Sequence, residues 1–255
     1  MILLGILAAS GAGAAAGYAA GGSTGSNVDT VDKFLFSDDS RTTLSLGLSS
    51  ARTATAGMSN SGVAGYCAGG LTITNVNTVD KFAFPSDSRT TLGTGLSAAK
   101  RELGGFSNSG TAGYAAGGYD SAKVNTVDKF AFPSDSRTTL GTGLSAARYI
   151  FRGISNKAVA GYTAGGYDGA NVNTVDKFAF PSDSRTTLGT GLSANRRGTT
   201  GMSNAGVAGY SVGGFEGGVT ATINKFAFPS DSRSTLGTGL SSGRRFLAGF
   251  QDEAL

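Results

Sequence analysis

The side chains best suited to chemistry lie in two windows where this sequence stops repeating itself. One window carries Tyr119 with Asp120 and Tyr167 with Asp168, and the other carries Tyr149 with Arg152. A tyrosine ring offers a stacking face and a hydroxyl, a carboxylate accepts hydrogen bonds, and a guanidinium donates them in a plane. Aromatic rings mixed with Arg and Asp are the chemistry of recognition surfaces, suited to a sugar and equally to a protein. These six residues are the candidate ligand-binding set.

Catalysis is harder to assemble. With no histidine in 255 residues, zinc, copper-radical and Ser-His-Asp mechanisms lose their usual participants, and no GxxxxGK[ST] phosphate loop occurs. Glu102, Asp120, Asp168 and Glu216 are the acids of the variable windows, and nothing in their spacing selects the two that glycoside hydrolysis needs. No catalytic residue, metal ligand or cofactor is expected. The single cysteine, Cys67, stands where other copies have Ala19, Ala115, Thr163 and Ser211, which makes it a small-residue substitution and rules out an intrachain disulfide.

What positions those windows is a repeat. Gly-Gly pairs at Gly21-Gly22, Gly69-Gly70, Gly117-Gly118, Gly165-Gly166 and Gly213-Gly214 fall at a constant 48-residue interval. The net charge of +4 belongs to that frame: 15 of the 21 Lys and Arg occupy three repeated positions, typified by Lys129, Arg137 and Arg148. Charge spread with the repeat makes no single basic stripe, so nucleic acid is not expected as a partner. Nor is a membrane span, because the strongly apolar stretch from Met1 to Ala9 is too short, and Ala15 to Gly22 already belongs to the repeat.

Each repeat reads as four short strands bounded by turns. With 42 glycines and abundant Ser and Thr, helix is not expected anywhere. In the third copy the expected segments are Arg101 to Asn108, Thr111 to Gly118, Asn125 to Phe132 and Arg137 to Ala147, with a PSDS turn at Pro133 to Ser136. Along the third segment, Val127, Lys129 and Ala131 alternate with Asp128, Phe130 and Phe132, so both faces are expected to be covered. Asp128 with Lys129, and Asp135 with Arg137, are expected to act as turn caps and interblade pairs. Sheets covered on both faces by copies of themselves, arranged around an axis, make a β-propeller. In an up-and-down blade the two variable windows share one rim, and the nearly constant SN and PSDS turns share the other.

The run from Tyr114 through Gly117-Gly118, Phe130 and Pro133 to Arg148 resembles the kelch repeat and spans essentially the whole chain, with Leu140 where kelch repeats carry tryptophan. The opening MILLGILAAS and the GYxAGG style are similar to repeat-containing structural proteins of tailed phages. The resemblance implies a five-bladed, all-β propeller of kelch-like four-stranded repeats, and a place in a virion or extracellular assembly. Residues 1 to 11 are expected to form an apolar arm. Residues 12 to 255 are expected to form one propeller, its last strand (Arg245 to Gln251) completing the first blade. The expected function is a non-enzymatic structural or adhesive module, in a homo-oligomer or with other protein subunits. The alternative is a secreted lectin with a surface glycan as its partner.

Overall fold

In the computed structural model, residues 16–248 are described, and the chain folds as a five-bladed β-propeller. The first sheet comprises β1 (Ala16–Ser23), β2 (Asn27–Leu35) and β3 (Arg41–Thr43). The second is β4 (Ala56–Asn60), β5 (Ala64–Ala68), β6 (Val79–Ala83) and β7 (Ser88–Thr91). The third is β8 (Gly104–Asn108), β9 (Ala112–Ala116), β10 (Val127–Ala131) and β11 (Ser136–Thr139), and the fourth is β12 (Arg152–Asn156), β13 (Ala160–Ala164), β14 (Val175–Ala179) and β15 (Ser184–Thr187). The fifth is β16 (Thr200–Asn204), β17 (Ala208–Val212), β18 (Ile223–Ala227) and β19 (Ser232–Thr235). Every sheet is antiparallel and joins strands in chain order. The Met1 to Ala9 arm and residues 249–251 of the expected closing strand lie outside the described residues.

Period-two alternation explains the blade. Met58, Tyr66 and Lys81 are cross-strand partners on one face, while Gly57, Cys67, Asp80 and Thr91 are partners on the other. The first face meets the following blade and the second meets the preceding one. Thus Tyr66 and Met58 cluster with Phe130 and Phe132 of the third blade, whereas Cys67 and Phe82 cluster with Tyr18 and Val31 of the first. Small residues at the axis are a steric requirement: a Cβ on Gly105 would strike the carbonyl of Gly57, and one on Gly153 would strike that of Gly105.

The fourth segment differs from expectation. It is a strand only over Ser136–Thr139; residues 141–147 run as bends and unpaired chain. The amide of Leu144 donates to the carbonyl of Asn125 at 2.7 Å, folding this stretch back over the blade and burying Leu144 at its edge. Two glycines in the LGTGL run are too many for a continuous strand, which is why pairing ends early.

The repeated charges Asp128, Lys129 and Asp135 form the expected interblade pairs, each with a residue of a neighbouring blade. Lys129 bonds Asp183 of the next blade, not Asp128, and Asp135 is bonded by Lys81 of the preceding blade, not by Arg137. Adjacent residues of a strand point to opposite faces, so Asp128 and Lys129 cannot meet. Asp128 instead faces backward to Lys100 at 3.1 Å, both side chains fully buried.

Candidate functional site

The two rims are built from different bonds. On one, the SN and PSDS turns are tied together, as where the amide of Phe132 donates to Thr111 at 2.7 Å. Asp135 adopts a left-handed conformation there (φ 56°), which Asp tolerates better than most residues. Its carboxylate accepts from the Tyr66 hydroxyl at 2.7 Å and from Lys81 at 2.6 Å. The same clasp recurs as Tyr18 and Lys33 on Asp87, Tyr114 and Lys129 on Asp183, and Tyr162 and Lys177 on Asp231. Burial, and then the bond to Asp, hold these four phenols well above the ordinary tyrosine range.

On the other rim the two variable windows pair with each other: Arg101 bridges Tyr119, Tyr149 bridges Tyr167 and Arg197 bridges Phe215. This brings together three of the predicted residues. The Tyr119 and Tyr149 ring centroids lie 5.3 Å apart and tilted, and Tyr149 meets Tyr167 edge-on at 5.7 Å. All three are half-buried, and their hydroxyls make no hydrogen bond among the described residues. Four of the repeated GY tyrosines use their hydroxyls to hold blades together, whereas these three engage theirs with no described residue.

The predicted acids sit beside the row but serve their own loops. Asp120 Oδ1 accepts from the amides of Ser121 and Ala122, bonds that draw its carboxyl below the usual range. Asp168 Oδ1 accepts from the Ala170 amide at 3.3 Å. Arg152 begins β12 and donates to the carbonyls of Leu103 and Phe151; it lines an axial cavity of about 50 Å³ with Gly57, Gly105 and Gly201.

Sequence reasoning passed over the cations that frame the tyrosines. Arg101 lies over the Tyr119 ring and Arg197 over that of Tyr167, each 4.9 Å from the centroid, a cation–π distance between half-buried groups. Their signal was present, because Arg101, Tyr149 and Arg197 occupy one repeat position. Next to them, Glu102 is pushed upward by burial, a shift that Arg101, Arg152 and Arg197 partly offset. Burial, then Glu102, also raises the Tyr149 phenol. Glu102 and Ile150 both hold left-handed backbone (φ 58° and 59°), a strained choice for β-branched Ile150.

The class these features define is a five-bladed β-propeller with an aromatic, cation-flanked loop rim. No protein-family model matches the sequence, and no curated protein matches it.

Proposed function

We propose that this chain is a non-enzymatic structural or adhesive module of a virion or extracellular assembly, and that the Tyr119, Tyr149 and Tyr167 row is its contact surface. The observation carrying this reading is the contrast between tyrosines: aromatic faces with unengaged hydroxyls, bracketed by Arg101 and Arg197, gather on the one rim whose loops differ between copies. Rigid aromatic side chains give large contact area at small entropic cost, and central aromatics carry much of the affinity at interfaces. The kelch-like character of the repeat and its likeness to tailed-phage structural proteins belong to the same proposal, as do homo-oligomeric assembly and the apolar N-terminal arm as a subunit joint.

Light scattering on the full chain, on a form lacking Met1 to Ala9, and on a Tyr119→Ala/Tyr149→Ala/Tyr167→Ala variant tests this. A defined oligomer that is lost in the shortened form or in the triple variant supports an assembly module. Monomers throughout, with saccharide binding that the triple variant loses, would replace it by the lectin reading.

A further inference from the structure

Four blade junctions in this chain are made alike, and a fifth set of the same side chains has no partner among the described residues. At the made junctions the closing cation of one blade enters the next: Arg52 to Asp80 at 2.9 Å, Lys100 to Asp128 at 3.1 Å, Arg148 to Asp176 at 2.9 Å, and Arg196 to Asn224. The Tyr and Lys clasps on Asp87, Asp135, Asp183 and Asp231 complete them. On the fifth blade the equivalent donors are Tyr210, Lys225 and Arg244. Their side chains make no hydrogen bond or ion pair among the described residues, and Arg244 is exposed.

Among the described residues the first blade's outward face is equally unengaged. Asp39, the equivalent of Asp87, is exposed, and Asp32 is held only within its own blade, by Arg41 and Thr43. Apolar positions agree. Phe82, Phe130, Phe178 and Phe226 are at most 4% exposed, whereas Phe34 is half-buried; Phe36 is 38% exposed, against 9% or less for Phe132, Phe180 and Phe228. Leu48, Leu96, Leu144 and Leu192 are each 3% exposed, whereas Leu240 is only half-buried.

The chain itself takes the first step past the fifth blade. The amide of Phe246 donates to Gly198 at 2.8 Å, as Gly198 does to Ile150 and Ile150 to Glu102. Arg245 lies over Phe215 as Arg197 does over Tyr167. Leu247 approaches Gly213 as Leu103 approaches Gly69. Residues 245–248 thus start a unit as every other first strand starts one, and no contact among the described residues covers the faces on either side of that place.

We infer that the seam between the fifth and first blades is a docking groove for one further blade-shaped unit of the same repeat. The charge pattern selects its chemistry. Toward the fifth blade it must present two carboxylates, placed like Asp176 and Asp183, to receive Arg244, Tyr210 and Lys225. Toward the first it must present a tyrosine hydroxyl and a lysine, placed like Tyr162 and Lys177, for Asp39, and an arginine placed like Arg196 for Asp32. Three antiparallel strands of this repeat, with the turn and the closing arginine that follow them, carry all five groups.

The probe is a synthetic peptide with the sequence of residues 160–196, the second to fourth strands of the fourth repeat with the closing arginine, added to the full chain. Native mass spectrometry and thermal melting are the readouts. One peptide bound per chain is expected, with a rise in Tm and with affinity about tenfold weaker for Asp39→Asn chain or for peptide carrying Asp183→Asn. Absence of binding overturns the inference, as does binding indifferent to both substitutions. So does a peptide-free chain in which Asp39→Asn costs as much stability as Asp87→Asn, because the chain then closes on its own first blade. A peptide-free dimer that Asp39→Asn dissociates would make a second copy the occupant instead. None of these outcomes involves the tyrosine row, so the docking groove and the proposed contact surface fail independently.

Discussion

The two rims of this propeller use the same residue types to opposite ends. On the turn rim, Tyr114 and Lys129 meet Asp183 across a blade junction, the same clasp closes the other three made junctions, and the turns scarcely vary between copies. On the loop rim, Tyr119, Tyr149 and Tyr167 touch one another with hydroxyls unengaged, their arginines lie over rings, and each copy differs. A polar group that joins two repeats cannot change without its partner, whereas one that serves only its own loop can. Stability should therefore reside in the junctions and turn rim, and recognition in the loop rim.

The deepest cut at that contrast is Asp176→Ala. It leaves the Arg148 guanidinium buried without its carboxylate, at a cost of about 3–5 kcal/mol, while Asp168→Ala on the loop rim should stay within about 0.5 kcal/mol; urea unfolding of the two variants measures both. Next comes Tyr114→Phe, which deletes one charge-assisted bond to Asp183 and should cost about 2 kcal/mol by the same assay.

Proton linkage separates the regions further. Burial opposes ionisation of Asp80, Asp128 and Asp176, but bonds from Thr91, Thr139 and Thr187, backbone amides and the buried cations hold their carboxyls below the ordinary 3.8. Their stabilisation is present above pH 3.8 and is lost as pH falls through the lower folded values. The clasping phenols shift the other way, so their share is complete below their ordinary pKa of 10.0 and declines above it. Melting temperature against pH should thus fall at both extremes, and Tyr114→Phe should flatten the alkaline arm.

The smallest effect sharpens the comparison from the loop side. Ile150→Gly relieves a β-branched residue held at φ 59°, where the equivalent residue of the fifth repeat is already Gly198, and should gain about 1 kcal/mol in thermal unfolding. A loss instead would show that the Ile150 side chain holds the tyrosine row in place.

Much of this was legible in the residues. The 48-residue interval announced the repeat, the alternation from Val127 to Phe132 announced a strand covered on both faces, and the two variable windows pair on one rim as strand topology requires. The end of the fourth strand was less legible, because the glycines of LGTGL weaken a strand without marking where its pairing stops, and the fold-back onto Asn125 fixes that point. Arg152 could not be separated from the tyrosines by type or spacing; its place at the axis follows from where β12 begins.

By itself the sequence determined the period, the strand pattern and the division into constant and variable segments, because these are properties of neighbours along a chain. Only the tertiary structure decided who meets whom. Lys129 finds Asp183 at 54 positions' distance and Tyr114 finds it at 69, and near-identical copies offer several equivalent carboxylates for each. Only the placing of one blade beside the next, where alternate side chains face opposite neighbours, selects among them.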